Sequence, residues 1–86
     1  MGKFSILFTR SARKELENIP DAAVEKIFAS IENLSSEPFP RGCKKLKSEK
    51  NLWRIRVGDY RVIYSVYSDR LIIDVIRIRH RKEVYN

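Results

Sequence analysis

At 86 residues the chain is one domain, and a fold of this size buries roughly 60 to 65% of the surface its unfolded chain exposes, so the core is thin. No stretch approaches the ~20 consecutive apolar residues of a membrane-spanning helix, and the apolar run from Phe4 to Phe8 behind Lys3 is too short for a leader. The one cysteine, Cys43, cannot form an internal disulfide, so nothing points to an oxidising compartment and a soluble, cytoplasmic protein is expected.

The net charge of +7 is unevenly spread. Residues 1–40 carry five Lys/Arg against six Asp/Glu, whereas residues 41–86 carry thirteen against five, a net of +8. A polyanion is the natural partner for the second half.

Taken in chain order, Phe4 to Phe8 is rich in β-favouring residues and reads as a first strand, ending at Thr9, a good N-cap. From Ser11 to Asn18 a short charged helix follows, with Ala12, Leu16 and Ile19 on one stripe and Pro20 as its stop. Asp21 is the expected N-cap of a second helix, along which Val24, Ile27, Phe28, Ile31 and Leu34 share a face. The two helices should form an antiparallel hairpin. Ser35 to Asn51 holds Pro38, Pro40, Gly42 and five cations and reads as a loop. Three strands then follow, Leu52–Val57, Tyr60–Tyr67 and Leu71–Ile78, with turns at Gly58-Asp59 and Ser68-Asp69. The expected fold is α+β: a helical hairpin packed on a small antiparallel β-sheet, in the order β-α-α-β-β-β.

Strand residues alternate between faces, so the arginines can be assigned to one. In the first meander strand Trp53, Ile55 and Val57 face one way, and Leu52, Arg54 and Arg56 the other. In the second, Arg61 lies opposite Tyr60, Val62 and Tyr64. In the third, strict alternation groups Ile72, Asp74, Ile76 and Ile78 against Ile73, Val75, Arg77 and Arg79. Arg56 and Arg61 become near neighbours across the turn, where like charges repel, an arrangement that a bound anion would relieve. Trp53, Tyr60 and Tyr64 read as core, Tyr67 as freer, and Cys43 lacks the partnered histidine of a nucleophile. The only histidine and the separated Asp59, Asp69 and Asp74 offer no divalent-metal site, so no cofactor is expected.

The run LWRIRVGDYRVIYSV (Leu52 to Val66), followed by VIRIRHRKEVY (Val75 to Tyr85), resembles the RelE/ParE superfamily of bacterial and archaeal toxins, and the likeness extends over the whole chain. RelE-like members are endoribonucleases that cut messenger RNA in the ribosomal A site; ParE-like members poison DNA gyrase. The resemblance to the RelE-like branch implies a type II toxin–antitoxin toxin acting as an mRNA interferase. Its partners would be a cognate RelB-like antitoxin on a separate chain, in a toxin–antitoxin hetero-oligomer, and the ribosome with its message.

Carried onto this chain, the pattern assigns catalysis to Arg56, Arg61, Arg81 and Tyr85, and RNA or phosphate binding to Lys47, Arg54, Arg79 and His80. Counting back from Tyr85 without a gap selects Arg79 for the last arginine, whereas the local H-R-K-E-V-Y pattern selects Arg81, which is preferred. Arginines stand at Arg54 and Arg56 where some relatives have lysines, and a guanidinium with a pKa of ~12 or above is a poor general base. The implied chemistry is metal-independent cleavage to a 2′,3′-cyclic phosphate, with Tyr85 as base and the cations clamping the phosphate. The alternatives are a ParE-like gyrase inhibitor that is not a nuclease, and a nucleic-acid-binding module without chemistry.

Overall fold

The computed structural model describes residues 3–47 and 49–84. Thr9 caps the first helix as its sequence predicts: its hydroxyl oxygen accepts the Ala12 N–H at 3.1 Å, joining β1 (Ser5–Phe8) to α1 (Arg10–Glu17). Pro20 separates α1 from α2 (Asp21–Ser36) and is itself the N-cap of α2, its carbonyl accepting from Ala23 and Val24. Asp21 therefore sits inside the first turn, where its charge favours the helix dipole, and is not the cap that its residue type suggests.

Four strands follow: β2 (Lys44–Lys45), β3 (Trp53–Val57), β4 (Tyr60–Tyr67) and β5 (Ile72–His80), then the short helix α3 (Arg81–Val84). The segment read as a loop with a short extended piece at Leu46 thus contributes a two-residue strand, Lys44–Lys45, on β3. The β3–β4 hairpin turns through Gly58 at φ +60°, a conformation that glycine enters without a Cβ clash. At the other end of the hairpin Asn51 holds the register: its side chain exchanges hydrogen bonds with the Val66 backbone, and its carbonyl accepts from the Ser65 hydroxyl at 2.6 Å.

The five strands form one sheet in the order β1-β5-β4-β3-β2. It is mixed where an antiparallel sheet was expected, because β1 pairs with β5 in parallel. Parallel neighbours need a crossover, which the helical hairpin and the intervening strands supply, and alternation in a sequence carries no sign of strand direction.

A second correction lies in β5. Between Ile63 and Tyr64 the partner jumps from Arg77 to Val75, so Ile76 is the extra residue of a β-bulge. The bulge brings Ile73, Val75 and Ile78 to the same face, where all three are buried, and strict alternation would have separated them. It equally moves Arg77 and Arg79 to the opposite face.

The core lies between the hairpin and this sheet face. Ala12, Ile19, Ile27, Ile31 and Leu34 meet Ile55, Val57, Val62, Tyr64, Val66, Ile73, Val75 and Ile78. Tyr64 is fully buried, donating its hydroxyl to the Pro38 carbonyl at 2.7 Å. Trp53 is half-buried on the same face with the Phe39 ring against it at 4.5 Å, and Phe28, expected in the core, stays 42% exposed in a T-shaped contact with Phe8.

Candidate active site

The face away from the hairpin carries the arginines in two rows. Directly paired residues on antiparallel strands point the same way, with Cβ atoms ~5 Å apart. One row runs Arg56–Arg61–Arg79 across β3, β4 and β5; the next runs Lys44–Arg54–Ile63–Arg77 from β2 to β5. Six of these seven positions are cationic. Among the described residues no carboxylate forms an ion pair with Lys44, Arg54, Arg56 or Arg61, so each adjacent pair carries repulsion on the order of 1 kcal/mol.

Arg61 is the centre of the first row and only 2% exposed. One guanidinium nitrogen donates to its own neighbour's carbonyl, Tyr60 O, at 3.2 Å, while Nε is buried without a hydrogen-bond partner among the described residues. A buried cation beside two others with an unmet donor is expensive for folding alone, and it gains what it lacks when a phosphate arrives with acceptor oxygens.

The structure brings Arg54, Arg56, Arg61 and Arg79 together and sets three other sequence-assigned residues apart. Lys47 is exposed in the loop before β3, at the opposite end of that strand from Arg56. His80 pairs with Tyr60 on the hairpin side of the sheet, ring edge to face at 5.3 Å, and its Nδ1 accepts the Lys82 N–H. Arg81 begins α3, donating its N–H to Asp59 O at 2.7 Å with its Nε 3.8 Å from the Asp59 carboxylate. Tyr85 lies outside the described residues.

Two cations escaped the sequence reading as site residues. Lys44 joins the second row because it sits in a strand that two residues are too few to announce, and Arg77 does so because of the bulge. A cleft of about 540 Å³ continues from this face around the edge of β3, lined by Arg41, Lys44, Arg54 and Arg56 together with Ser30 and Asn33 of α2. No acidic residue lines it. Of the phenols nearby, Tyr64 is unsuited to proton abstraction: burial pushes its pKa far above the ordinary tyrosine range, and Cys43 beside it adds to the rise. Among the described residues no group of three or more His, Cys, Asp or Glu forms a metal cluster, and no helix is long and apolar enough to cross a membrane.

A two-helix hairpin over a five-stranded mixed sheet, with an arginine cluster on the far face, defines a small α+β domain of the RelE-like fold. The family model for the ParE toxin of type II toxin–antitoxin systems matches residues 6–85, and the chain belongs to that family, on the RelE-like branch of the RelE/ParE superfamily. Toxin RelE3 of Methanocaldococcus jannaschii is 33% identical over 85 residues, covering 94% of each chain. The structure of the archaeal RelE–RelB complex from Pyrococcus horikoshii superposes with a TM-score of 0.81 at 30% identity, covering 92% of this chain and 96% of that one. The toxin–antitoxin complex RelBE2 of Mycobacterium tuberculosis gives 0.81 at 27% identity, covering 92% and 99%.

Proposed function

We propose that this toxin is a ribosome-dependent, metal-independent endoribonuclease that cleaves messenger RNA in the A site. The observation that carries the reading is the Arg56–Arg61–Arg79 row with buried Arg61 at its centre, a cluster that only an anion with several acceptor oxygens completes.

In this reading a 2′-hydroxyl attacks the adjacent phosphorus, loses its proton, and expels the 5′ oxygen, which takes a proton from water and leaves as a 5′-hydroxyl while the 3′ side ends in a 2′,3′-cyclic phosphate. Arg56 and Arg61 hold the phosphate and offset its growing negative charge, fork to oxygen. Arg79 completes the row, and its position favours it over Arg81 for this role; Arg81, engaged with Asp59, serves the surface around it. Tyr85, outside the described residues, is the residue this reading assigns to take the 2′ proton, a phenolate being favoured wherever cations gather near it. Arg54 and Lys47 follow the RNA backbone away from the cut, whereas His80, on the hairpin side of the sheet against Tyr60, is left out of the RNA face. None of these groups orients a free RNA strand, so the ribosome supplies the in-line geometry. A cognate RelB-like antitoxin, a separate chain as in the Pyrococcus horikoshii complex, would cover the cationic face in a cytoplasmic hetero-oligomer.

The test adds the purified toxin to a translating ribosome and maps message ends with and without chelator. A-site cuts that survive the chelator and fall by roughly 10²- to 10³-fold in Arg61→Ala are expected, with a comparable loss in Tyr85→Phe. Intact message together with inhibited gyrase would replace this reading by the ParE-like one.

A further inference from the structure

β1 stops pairing with β5 at Phe8 opposite Val75, yet β5 runs on to His80 with that edge open. Helix α1 closes it with side chains. The Thr9 hydroxyl donates to Ile76 O at 2.7 Å, and two turns of sequence later Glu15 reaches the same edge. Its Oε1 accepts the Ile78 N–H at 2.7 Å; its Oε2 accepts from Arg77 Nε at 3.1 Å and Nη2 at 3.0 Å, and lies 3.8 Å from Arg79 Nε. One largely buried carboxylate therefore meets a backbone donor and two arginines, one of which belongs to the Arg56–Arg61–Arg79 row.

We propose that Glu15 is a positioning residue of the RNA site: it fixes the end of β5 and holds Arg79 beside Arg61 in the orientation that engages phosphate. This rests on the ribonuclease reading above. The chemistry demands a carboxylate, because every partner of Glu15 is a donor, and only two acceptor oxygens serve Ile78 on one side and the arginines on the other. An amide would turn an NH₂ group against one of them. The negative charge also reduces the repulsion that Arg79 meets from Arg61 and Arg77, which lets three guanidinium groups share the strand end. Like the outer partners of metal ligands, Glu15 acts on the site through the group it holds.

Glu15→Gln changes the acceptor set at almost constant volume, and the experiment compares it with Thr9→Val, which removes both the α1 N-cap and the other α1–β5 side-chain hydrogen bond without touching an arginine, and so reports what general loosening of α1 does. Two readouts are taken on each full-length variant: cleavage of A-site message, and solvent exchange of the Arg79 Nε–H by ¹⁵N NMR. The expected result is faster exchange at Arg79 and a fall in kcat of between about 10- and 100-fold for Glu15→Gln, with KM little changed and Thr9→Val close to native in both readouts. Unchanged Arg79 exchange, or an equal loss of kcat in Thr9→Val, would overturn the proposal. A native protein that leaves message intact sinks the ribonuclease reading by itself, and Arg79 exchange then decides the positioning claim alone. Should Glu15→Gln fail to fold, Glu15→Asp keeps both oxygens on a shorter stem. It should release Arg79, the most distant contact, first; tight Arg79 exchange in that variant counts against the proposal.

Discussion

The two faces of the sheet are made by the same strands and differ by single alternate positions, yet they follow opposite rules. On the hairpin side, Ile55, Val62, Tyr64, Ile73, Val75 and Ile78 bury apolar surface against α1 and α2, and the one buried phenol there donates to a carbonyl. On the far side, Arg56, Arg61 and Arg79 stand in direct register, with Arg61 Nε buried and without a hydrogen-bond partner among the described residues. The first face is what a thin core needs to fold. The second adds a self-repulsion between Arg56 and Arg61 that folding alone does not need, and on that cost the proposed phosphate site rests.

That contrast can be broken from either side. The largest stability effect belongs to the hairpin face: Ile73→Ala, at a fully buried position, should lower unfolding free energy by about 2 to 5 kcal/mol in urea denaturation, a large share of the stability of so small a domain. Next comes the opposite sign on the opposite face. Arg61→Met keeps the packing volume and removes the buried charge, so stability should rise by about 1 to 2 kcal/mol while, on the ribonuclease reading, A-site cleavage falls by roughly 10²- to 10³-fold as in Arg61→Ala. A loss of stability on that change would mean that Arg61 is held for folding and not for an anion.

The smallest effect is a pH dependence. At neutral pH Tyr64→Phe should cost about 1 kcal/mol for the hydrogen bond to Pro38. Burial raises the folded-state pKa of Tyr64 above its unfolded value, so the native fold binds the proton more tightly than the unfolded chain does. The stabilisation is therefore complete below the unfolded tyrosine pKa of ~10 and is lost as pH rises beyond it. The native chain should lose its advantage over Tyr64→Phe above that pH in paired denaturation curves.

Much of this was legible before any coordinates. Thr9 announced a helix start, Pro20 separated two helices, and the alternation through Trp53-Arg54-Ile55-Arg56 placed the first arginines on the face opposite the core. Where the reading failed, the cause was a local break in a periodic rule. One extra residue at Ile76 reverses the facing of everything after it, and so decides that Arg79 joins Arg56 and Arg61. Lys44 pairs with Arg54 through a strand too short to leave a pattern, and nothing in the sequence of a short charged helix sets Glu15 apart from its charged neighbours.

By itself the sequence determined the number and kind of the main elements, the apolar stripe of each helix, and the strongly basic second half, because helix and strand periods are local and charge is additive. Only the tertiary structure decided the parallel pairing of β1 with β5, the bulge, and the meeting of Glu15 with Arg77, 62 positions apart in the chain. These depend on which strand edge is left open and which helix covers it, and such choices are made by the packing of the whole domain rather than by any window of residues.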